Sequence, residues 1–215
     1  MFVTDVTGDE FTVIRGANGT TPVSHPDGAT VKLSSGGDVA ISHSSITDNV
    51  SDAQGGGLYN QSVMAVDKSE VAGNIANSRG GAVYNASIVN ALDGALTVGA
   101  TTVSVNDASA FPADTGFDIT VGAEVMEVTS VSGNEFTVLR GVAGTTPVPH
   151  GDMTTVVLRD FSELVVTAST LANNTAIGAG GGVFNEDVLE VVNSTISGNS
   201  AGAGGGIASI GTGVL

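Results

Sequence analysis

A short repeat of 24 to 25 residues, present four times, constrains this chain more than any other feature. One of its signatures is Ser-x-[Ile/Val/Leu]-x-x-Asn, at Ser44 to Asn49, Ser69 to Asn74, Ser169 to Asn174 and Ser194 to Asn199 (Thr170 and Thr195 stand second in the last two copies). The other is a glycine cluster running into an aliphatic residue, an aromatic and Asn. It reads Gly55-Gly56-Gly57-Leu58-Tyr59-Asn60, Gly80-Gly81-Ala82-Val83-Tyr84-Asn85 and Gly180-Gly181-Gly182-Val183-Phe184-Asn185, and weakens to Gly204-Gly205-Gly206-Ile207-Ala208-Ser209. Self-similarity at this period marks a solenoid, in which each unit buries its apolar face only against its neighbours.

Within each unit the apolar residues alternate. Val39/Ile41/Ile46, Met64/Val66/Val71, Leu164/Val166/Leu171 and Leu189/Val191/Ile196 recur at matching positions. A period of two means strand, with these residues on one side. Stacking equivalent strands in parallel predicts a parallel β-helix, each unit forming one rung, around a narrow aliphatic core. The recurring Asn residues fit corners, since Asn tolerates left-handed backbone and stacked amides can bond from rung to rung. The glycine clusters fit a second, tighter corner. Six Asn-x-Ser/Thr triplets occur, among them Asn60-Gln61-Ser62 and Asn193-Ser194-Thr195; corner roles account for the rung asparagines better than glycosylation does.

A longer repeat overlies the short one. Met1 to Leu33 aligns without a gap on Met126 to Leu158, an offset of 125 residues. Glu10-Phe11-Thr12-Val13 matches Glu135-Phe136-Thr137-Val138, Arg15-Gly16 matches Arg140-Gly141, and Gly19-Thr20-Thr21-Pro22-Val23 matches Gly144-Thr145-Thr146-Pro147-Val148. Residues 92–158 break the rung pattern and read as short strands over 95–98, 101–105, 117–121, 124–131, 135–140 and 154–158. Ser132-Gly133-Asn134 and Thr7-Gly8-Asp9 read as hairpin loops. The expected organisation is therefore half a small β module at 1–33, rungs at 34–91, a complete antiparallel β-barrel or sandwich at 92–158, and rungs at 159–215. A chain with this layout is either a segment of a longer repeat protein or a subunit completed by a neighbour, through incomplete modules and open helix ends.

The paired signatures resemble those of the pectate-lyase-like right-handed β-helices of bacterial surface and secreted proteins, including polymorphic outer-membrane proteins and autotransporter-type adhesins. The resemblance covers residues 38–91 and 160–209. The insert, with Ala110-Phe111-Pro112, Val125-Met126-Glu127-Val128-Thr129 and Arg140-Gly141-x-x-Gly144-Thr145-Thr146, is similar to small β modules of phage tail and bacterial surface proteins. The resemblance implies an all-β fold and an extracellular or cell-surface setting. It does not select an activity, because the superfamily holds adhesins, lyases, hydrolases and phage tailspikes.

Charge and composition remove several partner classes. Against 22 acidic residues stand only 6 Lys and Arg, a formal net charge of −16; phosphate-backbone binding and docking on anionic lipid both need clustered basic residues. The absence of cysteine excludes disulfides and thiolate metal sites. No apolar run approaches the ~20 residues of a membrane-spanning helix.

The candidate chemistry is sparse. His25 and His150 each precede an acid by two residues (Asp27, Asp152), a spacing that could ligate metal or pair base with orienter; their place in a repeated loop favours a structural role. Arg15 and Arg140 recur with Glu10 and Glu135, which suggests a structural ion pair or backbone clamp. A β-helix lyase would need grouped carboxylates and a basic residue on one face. Lys68, Arg79 and Arg159 are the rung-region basic residues, and Asp38, Asp67, Glu163 and Glu190 are scattered among them. Calcium is possible at Asp48-Asn49, Ser51-Asp52 and Asn185-Glu186-Asp187, although no EF-hand or nonapeptide array is present. Tyr59, Tyr84 and Phe184 fall in register, an arrangement more often part of the fold than a sugar platform. No catalytic, cofactor or metal residues are assigned. The expected function is a non-catalytic structural or adhesive segment of an extracellular bacterial surface protein or filament, with self-association and surface glycan as its expected partners. The alternatives are a carbohydrate-binding or lyase-like β-helix and a phage tail-fibre component.

Overall fold

A computed structural model of the chain describes residues 2–7, 10–14, 39–113, 115–159 and 162–214, with backbone alone for 2–7, 10–14 and 212–214. Two compact units are present, 1–33 and 34–215.

In the first unit β1 (Phe2–Thr7) pairs antiparallel with β2 (Glu10–Ile14), with a bulge between Val3 and Asp5.

In the second unit the chain first makes two rungs. Rung one is β3 (Val39–Ser42), β4 (Ser45–Thr47), β5 (Val50–Ser51) and β6 (Leu58–Asn60); rung two is β7 (Val63–Asp67), β8 (Glu70–Ala72), β9 (Ile75–Ala76) and β10 (Val83–Asn85). An excursion follows: β11 (Val89–Ala91), β12 (Thr102–Ser104), β13 (Phe117–Val121), β14 (Glu124–Ser132), β15 (Glu135–Arg140) and β16 (Thr155–Leu158). Rungs three and four are β17 (Glu163–Thr167), β18 (Thr170–Ala172), β19 (Thr175–Ala179) and β20 (Val183–Asn185), then β21 (Val188–Val192), β22 (Thr195–Ser197), β23 (Ser200–Ala203) and β24 (Ile207–Ser209); β25 (Thr212–Val214) comes last.

The rungs stack into four parallel sheets, ordered β3-β7-β17-β21-β25, β4-β8-β18-β22, β5-β9-β19-β23 and β6-β10-β20-β24. This is the all-β, parallel-stacked arrangement that the short repeat predicts. The aliphatic positions named from the sequence point inward, and Met64, Val66, Val71, Leu164, Val166, Leu171 and Leu189 form one buried core. Glycine is required where rungs touch: a Cβ on Gly81 would strike the Gly181 carbonyl oxygen of the next rung.

The asparagines carry the rung-to-rung ladder but do not make the turns. Left-handed backbone falls one residue earlier, at Asp48, Gly73, Asn173 and Gly198. That turn frees Asn49, Asn74, Asn174 and Asn199 to point inward. Asn74 and Asn174 are wholly buried, and each amide donates to the next, Asn49 to Asn74, Asn74 to Asn174 and Asn174 to Asn199, at 2.9–3.0 Å. A second ladder runs Asn60 to Asn85 to Asn185, both bonds 2.7 Å.

Rung two stacks directly on rung three although the chain between them leaves the coil. β7 pairs with β17 residue for residue, Met64 opposite Leu164 and Val66 opposite Val166. The excursion forms one antiparallel sheet, β11-β16-β13-β14-β15-β12. Its two edges meet: Leu92 bridges Val105, Asp93 N–H donates to Ser104 O (2.9 Å), and Asn106 N–H donates to Ala91 O (3.1 Å). This contact joins the two outer strands at one bridge, and the sheet encloses Phe136, Ile119, Met126, Val103 and Leu158. The segment 95–98, expected as a strand, contributes only the single bridge Leu96–His150. The β14–β15 pairing repeats the β1–β2 pairing at the 125-residue offset, with the same bulge (Val128/Ser130 against Val3/Asp5).

Excision of residues 87–161 tests this layout. It joins Ala86 to Ser162 and yields Asn85-Ala86-Ser162-Glu163, where the first corner reads Asn60-Gln61-Ser62-Val63. Asn85 Nδ2 already donates to Ser162 O (3.2 Å), as Asn60 Nδ2 does to Ser62 O (2.7 Å). The shortened chain is expected to retain a cooperative far-UV circular-dichroism transition of a β protein; a coil-like spectrum would refute direct stacking.

Candidate functional site

Three places concentrate polar or aromatic side chains. The first lies at one end of the closed sheet. Glu124 opens β14 and Arg140 closes β15; the loop beyond Arg140 returns through Val148 and His150. The Glu124 carboxylate is fully buried and receives Arg140 in fork geometry, Nε to Oε1 and Nη2 to Oε2, both 2.7 Å. Gly141 N–H donates to Oε1 (3.2 Å), Val148 N–H donates to Oε2 (3.1 Å), and His150 Nε2 lies 2.9 Å from Oε2. Arg140 also donates to the carbonyls of Thr97 (2.7 Å) and Val148 (2.6 Å). Burial pushes the Glu124 pKa up, but the bonds from Arg140, His150 and Val148 and the guanidinium charge outweigh it and bring it to about 2.

The partner of Arg140 is thus Glu124; Glu135 is exposed in the hairpin and does not pair with it. Asp152 does not orient His150 either: its Oδ1 accepts from the N–H groups of Gly94 and Met153. Every ionisable group of this cluster is engaged in joining the loop 141–150 to the sheet. Arg15, His25 and Asp27, and the side chain of Glu10, lie outside the described residues.

The second place is the outer side of the sheet β6-β10-β20-β24. Tyr59, Tyr84 and Phe184 stack at centroid distances of 5.3 and 5.6 Å, and the Arg79 guanidinium lies 4.8 Å above Phe184 while pairing with Glu186 at 3.5 Å. Burial, then the Glu186 carboxylate, raises the pKa of both tyrosines. Tyr84 and Phe184 are buried, whereas Tyr59, at the rung-one end, is 41% exposed.

The third is an open groove of about 610 Å³ along the corner between the first two coil sheets, lined by His43, Ser45, Lys68, Glu70 and Thr170 among others. His43 and Lys68 hold left-handed backbone at successive rungs, which turns both side chains outward. Lys68 Nζ lies 3.1 Å from Asp67. No sequence signal marks this groove, because His43 stands 25 residues from Lys68 and becomes its neighbour only through rung stacking.

Among the described residues no three His, Cys, Asp or Glu side chains gather as metal ligands. Of the acids considered for calcium, Asp52 accepts from Asn77 Nδ2 (3.3 Å) and Asp187 from Ser162 N–H (2.9 Å).

No family profile and no curated protein matches the chain. Among the solved structures that resemble it are three phage tailspikes. The Gp54 tailspike of Acinetobacter baumannii bacteriophage AP22, in complex with A. baumannii capsular saccharide, is 12% identical with a TM-score of 0.25, over 74% of this chain and 29% of that one. The tailspike gp49 from Pseudomonas phage LKA1 is 14% identical (TM-score 0.28; 81% of this chain, 41% of that one). The Pseudomonas phage phi297 tailspike gp61 is 15% identical (TM-score 0.28; 80% and 35%). The chain spans less than half the length of each.

Proposed function

We propose that this chain is a non-catalytic segment of an extracellular fibre, of a bacterial surface or a phage tail. In this reading a right-handed coil forms a stiff axis and the closed sheet is a side module carried on it, leaving the rungs after Ala86 and rejoining them at Ser162. The observation that carries the proposal is the unbroken stacking of rung two on rung three across the excursion. A side module that enters and leaves through one corner adds surface without interrupting the axis. The fork-paired Glu124 and its loop support the non-catalytic part, since this acid–base cluster, the densest among the described residues, has its bonding capacity used internally. Incubation with acidic polysaccharides tests it: no unsaturated product is expected in ultraviolet absorbance, and its appearance would establish lyase chemistry instead.

A second reading, binding of a saccharide along the coil, is favoured by the groove at His43, Lys68, Glu70 and Thr170. It offers both charges and several hydroxyls at the rung spacing of ~4.8 Å. Capsular saccharide is what the AP22 tailspike was found with. Titration with capsular oligosaccharides, followed by NMR shifts of the His43 ring, should show saturable binding that Lys68→Ala weakens about tenfold; unchanged shifts would remove this reading.

A further inference from the structure

The outer strands of the side module, β11 and β12, meet at a narrow seam, and a third segment lies across it. Leu92 bridges Val105, Asp93 N–H donates to Ser104 O (2.9 Å), and Asn106 N–H donates to Ala91 O (3.1 Å). The turn 151–154 comes alongside: Met153 N–H donates to Leu92 O (3.2 Å) and Leu92 N–H to Thr154 O (2.9 Å). The Met153 side chain completes the crossing. Its Sδ accepts from Asn106 Nδ2 at 3.7 Å, so a thioether anchored on the β11 side reaches the residue two beyond β12.

The backbone beneath this side chain is costly. Met153 has a φ of 60°, in the left-handed region that residues with a Cβ rarely adopt. Asp152 holds the turn, its Oδ1 accepting from Gly94 N–H (2.8 Å) and Met153 N–H (2.9 Å), and Thr154 Oγ1 donates to Gly151 O (2.7 Å). At the 125-residue offset the other copy carries Gly28, the residue such a turn favours. Core packing does not explain the methionine either. Met64 and Met126 are buried at 2% and 0% exposure, whereas Met153 is 62% exposed. A strained turn thus holds a soft sulfur in water, against an amide on the far side of the seam.

We propose that Met153 is a redox modification site, a latch across the seam that oxidants of the peroxide class tighten. The sulfur attacks one oxygen of the peroxide and an S–O bond forms as the O–O bond breaks. With hydrogen peroxide the departing hydroxide takes the remaining proton and leaves as water; the sulfur loses two electrons and the peroxide gains them. A thioether is a weak acceptor, whereas the sulfoxide is polar and presents an oxygen. Extending from Sδ toward Asn106 Nδ2, that oxygen converts the long sulfur contact into an ordinary N–H···O bond. Exposure gives the oxidant access to Met153, and burial denies it to Met64 and Met126.

Peroxide treatment of the full-length protein, followed by mass-spectrometric mapping, tests the site. Sulfoxide is expected at Met153 at least tenfold faster than at Met64 or Met126. Amide exchange at Asp93 and Asn106, whose N–H groups cross the seam, should then slow about fivefold, the effect of one added hydrogen bond. Asn106→Ala removes the donor and should abolish the slowing at the same two amides. Met153→Leu cannot take up the oxygen, so its exchange should be indifferent to peroxide, which separates Met153 from Met1. Equal oxidation of Met64, Met126 and Met153, exchange that is unchanged or faster after oxidation, or slowing that persists in either variant would each overturn the proposal.

Discussion

Asn174→Ala is expected to destabilise the coil by about 3–5 kcal/mol, whereas the same change at Asn49 should remove less than about 1 kcal/mol. Asn174 sits wholly buried at the centre of the ladder. Its Oδ1 accepts from both the N–H and the Nδ2 of Asn74, and its own Nδ2 donates to Val71 O (2.9 Å) and to Asn199 Oδ1 (2.9 Å). Alanine strands the Asn74 N–H and one of the two hydrogens of its Nδ2, the other still bonding Ile46 O (2.9 Å). A buried polar group stranded in this way costs about 1–3 kcal/mol. Asn49 lies at the exposed end of the same ladder, where water can replace the lost amide. The measurement is the urea midpoint followed by tyrosine fluorescence, which reports the coil because the two tyrosines of the chain, Tyr59 and Tyr84, both lie there. Equal losses at the two positions would mean that the ladder is not the source of the effect.

That prediction could be framed from the sequence only in part. The rung pattern was legible because two periods coincide: alternate aliphatic residues define an inward face, and the 24–25-residue spacing returns that face to one axis. The amide ladder was legible for the same reason. The turn itself falls one residue ahead of the repeated asparagine: Asp48, Gly73, Asn173 and Gly198 take the left-handed conformation, and Asn49, Asn74, Asn174 and Asn199 project inward because of it. Asp, Gly and Asn are all tolerant of that conformation, so composition alone could not separate the turning residue from the stacking one.

The end of the closed sheet was less accessible. Comparing the two copies drew attention to Arg15/Arg140 and Glu10/Glu135, the residues they share. Glu124 has no counterpart there, because the equivalent position would fall ahead of Met1. The acid that organises the end of the module was therefore invisible to repeat comparison. Sheet closure was hidden for a different reason: it depends on the short β11 and on single bonds around Leu92 and Val105, a contact between segments that carry no pairing signature. The barrel and sandwich expectations differ in that contact, and the observed bonds are those of a closed sheet.

Glu124→Gln should unfold or loosen the side module while leaving the coil intact. The amide keeps the shape of the carboxylate but removes its charge, so the guanidinium of Arg140, itself buried, loses its counter-ion. Breaking a buried pair from one side costs about 3–5 kcal/mol. The expected signature is loss of hydrogen-exchange protection across β13, β14 and β15 with an unchanged tyrosine signal from Tyr59 and Tyr84. The same residue sets an acid dependence. Its pKa is about 2 in the folded chain against an ordinary 4.5, so the folded state holds the proton less tightly than the unfolded one. The stabilisation, about 3 kcal/mol at 1.36 kcal/mol per unit, is therefore complete above pH ~4.5 and is lost as the pH falls toward 2. In Glu124→Gln that loss should disappear from the module's unfolding profile. An acid transition of the module that is the same in both proteins would assign it to other carboxylates and remove Glu124 from its central place.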